Sequence, residues 1–153
     1  VLDRVASEKT LPSMLKAHLD RLGKGDYFAL LNYIEMSAEH VEIAQKIRLN
    51  VRDQKHVATC LGFGPRFLHS TGQAYKGGPD TGVVLQVTCE DSDDLAVPGQ
   101  KYSFGVVKSA QARGDFQVLT SRKRRALRVH ISGNLEEGLH QLAQAVAQAL
   151  EVK

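Results

Sequence analysis

Tryptophan is absent from this 153-residue chain, cysteine occurs only twice, and neither sign of charge dominates, the formal net charge being +3. Each shortage excludes something. Two cysteines without CxxC spacing make neither a metal site nor a disulfide scaffold, and they fit a reducing cytoplasm. With 13 Gly and 4 Pro the chain is neither collagen-like nor low-complexity. No apolar run approaches the roughly 18 residues that span a bilayer, so no membrane partner is expected. Low net charge with 42% hydrophobic residues excludes intrinsic disorder. The opening residues Val1-Leu2-Asp3-Arg4 have no signal-peptide shape and no initiator Met. They suggest a processed form or a piece of a longer polypeptide.

The length suits one domain over residues 1–153, with a leading helix in 1–24 and the main lobe in 25–153. A chain of this size buries roughly 68–70% of its unfolded surface without staples. Cys60 and Cys89 sit in apolar runs and read as structural thiols. The basic run Arg122-Lys123-Arg124-Arg125 has no aromatic interleaving and matches no nucleic-acid module. It reads as a solvated helix end, where cations favour the last turn, and no nucleic-acid partner is expected.

Leu11, Met14, Leu15, Leu19 and Leu22 recur at helical spacing, with Thr10 as the start and Gly23 as the stop. Tyr27 to Ile34 is a continuous apolar run, as in a strand buried on both faces. Ser37 caps a helix whose face carries Val41, Ala44, Ile47 and Val51. Val57–Phe63, Val83–Cys89 and Ala126–Ile131 read as three more strands. Ser103 opens a helix that Gly114 breaks, with Asp115 capping a shorter one. Asn134, with Glu137 three residues on, opens a last helix whose apolar stripe is Leu135, Leu139, Leu142, Val146 and Leu150. Strands alternating with helices predict an α/β fold: a mainly parallel sheet of four or slightly more strands, with helices on both faces in a SIS- or Rossmann-like three-layer sandwich.

In such sheets ligands bind outside the carboxyl ends of the strands. Glu35, the stretch Gly64–Gly82, the acidic run Glu90–Asp94 and Ser132–Asn134 all fall there. The acidic run reads as solvated surface and lacks the Ca²⁺-loop pattern. No metal and no cofactor is expected. The Gly64–Gly82 stretch places Arg66, His69, Ser70, Thr71, Gln73 and Lys76 between glycines, closing on Gly77-Gly78. Glycines let backbone N–H groups approach an anion, hydroxyls and a lysine complete the cradle, and histidine moves protons near neutral pH. The set suits a phosphorylated, polyhydroxylated ligand. A glycine-rich turn with solvated polar groups accounts for the same residues equally well.

Phe67-Leu68-His69-Ser70-Thr71-Gly72-Gln73, followed by Lys76-Gly77-Gly78-Pro79 and Thr81-Gly82-Val83, resembles the C-terminal part of the bifunctional transaldolase/phosphoglucose isomerase proteins. The likeness runs on through Tyr102-Ser103-Phe104-Gly105 and Gly114-Asp115 to Leu127-Arg128-Val129-His130, about Gly25 to Ile131. It implies the last SIS-like lobe of a glucose-6-phosphate isomerase unit. A first isomerase lobe and a transaldolase barrel would precede it, and a homodimer would be possible. The implied reaction opens the sugar ring by acid–base catalysis and shuttles a proton between C2 and C1 through an enediolate. Where ordinary phosphoglucose isomerases carry His after Thr-Asn-Gly-Gln, this chain has Ala74, so ring opening falls to His69 or Lys76. Their C-terminal Lys has no counterpart here; His140 lies near that position. Glu35 is the local candidate for the base, and Arg66, Ser70, Thr71, Gln73, Gly77 and Gly78 for substrate binding. A non-catalytic sugar-phosphate-binding module or an assembly domain stands as the alternative.

Overall fold

The computed structural model describes residues 9–91 and 93–151; the first eight residues of the expected leading helix, and Ser92 of the acidic run, lie outside them. Four strands, β1 (Tyr27–Tyr33), β2 (Ala58–Phe63), β3 (Gly82–Cys89) and β4 (Arg125–Ile131), form one all-parallel sheet in the order β2-β1-β3-β4. Five α-helices accompany them among the described residues: α1 (Leu11–Leu19), α2 (Ala38–Lys55), α3 (Gly72–Gly77), α4 (Phe104–Ser121) and α5 (Leu135–Glu151), with a 3₁₀ turn at Arg66–His69.

Alternation along the strands sorts the side chains into two cores. Phe28, Leu30, Ile34, Leu85 and Val87 face Leu15, Ile43, Ile47, Leu139 and Val146 of α1, α2 and α5. Ala29, Leu31, Tyr33 and Val84 face Phe67, Tyr75, Ala112 and Leu119 of the 3₁₀ turn, α3 and α4. The result is a three-layer α/β sandwich. The connection after β1 covers one face and the connection after β3 covers the other. The order therefore reverses between β1 and β3, and the crevice at their carboxyl ends is where such sheets accept ligands.

Helix starts follow the sequence. Thr10 accepts from the Ser13 N–H, Ser37 from His40, Ser103 from Val106 and Asn134 from Glu137. Other local expectations are corrected. Helix α1 ends at Leu19, and Leu22 packs on the core from beyond it. On α2, Ile43 and His40 are buried where Val41 was expected. Helix α4 runs unbroken through Gly114, because one interior glycine costs only about 1 kcal/mol and Asp115 is buried in an ion pair instead of capping a new helix. The Gly64–Gly82 stretch is not irregular, since the 3₁₀ turn and α3 occupy most of it.

The charged runs are fixtures as well. Arg124 donates to the Gly78 carbonyl at 2.6 Å and the Lys76 carbonyl at 3.0 Å. Arg125 grips Asp26 with both forks, at 2.6 and 2.8 Å, and holds the Asp26 carboxyl down at about 2. Half of the expected solvated basic run is thus turned inward. In the acidic run, Asp91 pairs with Lys108, and Asp94 accepts from the Gly105 N–H at 2.7 Å and from the Ser103 hydroxyl. The run latches onto the start of α4 instead of lying free in solvent.

Gly64 sets the entry to the 3₁₀ turn. A Cβ there would lie 2.6 Å from Tyr33 Cε1 and 2.9 Å from Phe67 Cε1. Both rings are buried and stacked edge-on at 5.4 Å. Gly64→Ala is therefore expected to destabilise by roughly 1–3 kcal/mol, the usual cost of overpacking. Urea denaturation checks this; an unchanged midpoint would show that the rings move aside freely.

Candidate functional site

At the carboxyl edge, β2 leads through Gly64-Pro65 into the 3₁₀ turn and α3, which lie over the β1–β2 half of one sheet face. Phe67 and Tyr75 anchor them. Phe67 packs edge-on against both Tyr33 and Tyr75, and the Tyr75 hydroxyl lies 3.5 Å from Cys60 Sγ. Cys60 is half-buried and Cys89 buried, and burial raises the pKa of both thiols. Cys89 is thus buried as expected, and Cys60 only partly so.

With the apolar residues of this segment turned inward, its polar ones face out. Arg66, His69, Ser70, Thr71 and Gln73 are all exposed. Glu35 is exposed at the end of the neighbouring strand, and its carbonyl is held 3.0 Å from His40 Nδ1. A separate hollow there is bounded by Glu35, Glu90, Asp91 and Asn134. The sheet thus brings Glu35 and the His69 segment to one edge, on adjacent strands.

Lys76 and Gly78 have other work, while Gly77 is exposed. Lys76 Nζ lies 2.9 Å from Asp115 Oδ1, with the aspartate side chain only 3% exposed. This pair fastens α3 to α4 and engages the ammonium of a residue expected at the site. The Gly78 N–H closes α3 on the Ala74 carbonyl at 3.0 Å, and a Cβ at Gly78 would meet that oxygen at 2.6 Å. Gly78 is glycine because the helix end is tight, and its amide is spent on the helix. Toward Arg124 the segment presents the carbonyls of Lys76 and Gly78, not the anion-binding N–H groups that the glycines suggested.

A second group of polar residues gathers on the same sheet face, between β3, β4 and α4. A cavity of about 320 Å³ is lined by Tyr33, Thr88, Lys108, Ser109, Arg113, Arg128 and His130, among others. Arg128 and His130 alternate on β4, so both point to the α4 face. The Arg128 guanidinium sits over the Phe116 ring, 5.1 Å from its centroid. Thr88 Oγ1 lies 2.9 Å from His130 Nδ1. Tyr33, 1% exposed, forms the floor, with its buried hydroxyl turned to the Asp115 carboxylate. Burial first, and then the charge and hydrogen bonding of Asp115, drive the Tyr33 pKa far above that of an ordinary phenol. Sequence reasoning missed this group because its members come from three separate elements. The available signal was Arg128-x-His130, a polar pair at strand spacing between the apolar Leu127, Val129 and Ile131.

No protein-family model matches the chain, and no curated protein matches it in sequence. Among solved structures it is similar to the hypothetical protein TT0462 from Thermus thermophilus, with a TM-score of 0.78 at 12% identity over 97% of this chain. The likeness establishes the α/β fold. This chain spans 41% of that protein's length. Among the described residues no helix is long and apolar enough to cross a membrane.

Proposed function

We propose that this chain is the C-terminal, SIS-like lobe of a glucose-6-phosphate isomerase unit fused to a transaldolase. It would work on glucose 6-phosphate and fructose 6-phosphate once the preceding lobe completes the pocket. The observation that carries the reading is the joint exposure of Arg66, His69, Ser70, Thr71 and Gln73 at the ligand-bearing edge of a doubly wound sheet. In this reading His69 supplies and removes the ring-opening proton. Glu35 takes the C2 proton and returns it at C1, the electron pair passing through the enediolate. Arg66, Ser70, Thr71 and Gln73 hold the sugar phosphate by charge-assisted and neutral hydrogen bonds. Lys76 serves the lobe through Asp115. The two free thiols suit the cytoplasm as the site of action.

The Lys76–Asp115 pair favours a second reading, a sugar-phosphate-binding or assembly domain without turnover, because it engages one of the two ring-opening candidates. Coupled-assay turnover of fructose 6-phosphate by the complete polypeptide separates the two. His69→Ala is expected to lower kcat about 100-fold or more, the usual worth of positioned acid–base catalysis, with KM little changed. An active enzyme indifferent to His69→Ala overturns the residue assignment, and a polypeptide that binds without turnover overturns the isomerase.

A further inference from the structure

We infer that the cavity between β3, β4 and α4 is an oxyanion site for the phosphate group of a small phosphorylated metabolite, separate from the His69 segment. This does not rest on the isomerase reading. Three cationic side chains line the cavity, Lys108, Arg113 and Arg128. Lys108 is neutralised by Asp91. Among the described residues, Arg113 and Arg128 make no ion pair. Three of the acidic groups around the cavity are already engaged: Asp91 on Lys108, Asp94 on the start of α4 and Asp115 on Lys76. Glu90 stands in a hollow beside the cavity, next to Arg113 and His130, and bonds to neither in the structure.

The two arginines are therefore poised forks, suited to bidentate contact with a phosphate. Arg128 is preorganised by the Phe116 ring, which holds the guanidinium in place without using its N–H groups. His130 is oriented by Thr88, whose hydroxyl oxygen lies 2.9 Å from its Nδ1. The Ser109 hydroxyl adds a donor at the wall. A volume near 320 Å³ admits a phosphate with a short polyol attached and is small for a polymer.

Titration calorimetry of the chain with inorganic phosphate, fructose 6-phosphate and fructose tests the site. Saturable binding of both phosphates and none of fructose is expected. Arg113→Gln and Arg128→Gln should each weaken phosphate binding about tenfold, the usual cost of removing one charged hydrogen-bond donor. Lys46→Gln on the opposite face should leave it unchanged. Both arginines are exposed, so the variants should fold, and their melting temperatures without ligand check that. Absence of phosphate binding at millimolar concentration, or binding that ignores both arginine variants, overturns the site. Phosphate binding lost in His69→Ala but kept in the arginine variants overturns it too, while favouring the His69 segment.

Discussion

Lys76→Met is expected to cost about 3–5 kcal/mol of stability, the range for removing one partner of a buried ion pair. The reason is what it leaves behind. Asp115 is 3% exposed, and one of its oxygens faces Lys76 Nζ at 2.9 Å, the one cation paired with it among the described residues. Without the lysine, a charge would stay buried on α4 with nothing to balance it. The double variant Lys76→Met/Asp115→Leu should recover most of the loss, since replacing a buried pair by apolar side chains is often neutral. Urea denaturation of the three proteins checks both steps. If the single variant costs less than about 1 kcal/mol, in the range of a surface pair, the pair is not the joint described here and Lys76 is available to substrate.

Acid should act next most strongly, through His18. Its ring is fully buried on α1, with Nε2 donating to the Val84 carbonyl at 2.9 Å and Nδ1 unpartnered. Burial above all, then the charges of Arg21 and Arg125, lower its pKa from 6.5 to about 4, against the opposing pull of the Val84 carbonyl. The unfolded chain takes up its proton near pH 6.5, the folded chain near pH 4. In that window the unfolded state binds more protons, so stability is complete above it and falls with pH across it. At about 1.4 kcal/mol per pH unit, the total loss approaches ~3 kcal/mol. Asp26 extends the decline to lower pH, because its carboxyl, lowered by Arg125, gives up its contribution only as pH falls toward about 2. His18→Gln keeps an N–H donor and does not titrate, so its stability profile should be flatter between pH 7 and pH 4. A profile as steep as the parent's would place the titrating group elsewhere.

Strands and helix starts were readable in the sequence because they are local. The run Tyr27–Tyr33 buries both faces, and Thr10, Ser37, Ser103 and Asn134 each cap a helix a few residues away. Gly114 and Asp115 misled because their local preferences favour a break, whereas the Lys76 ammonium, 39 residues earlier in the chain, decides where Asp115 goes. At the end of the glycine-rich stretch the same holds: the Gly78 amide goes to Ala74, and Arg124, 46 residues on, takes the carbonyls. The cavity residues Arg113, Arg128 and His130 were invisible because only the β3–β4 pairing and the α4 packing bring them together.

The most direct test of the proposed sugar-phosphate lobe is a thermal-shift titration with fructose 6-phosphate, using inorganic phosphate as the reference. A ligand that binds only the native state stabilises it by about 2.7 kcal/mol at a hundred times its dissociation constant. The sugar phosphate should raise the melting temperature more than phosphate does. That excess should vanish in His69→Ala and Gln73→Ala and survive in Arg128→Gln. Equal shifts for the two ligands, or an excess indifferent to His69 and Gln73, would contradict a sugar-phosphate site on this segment.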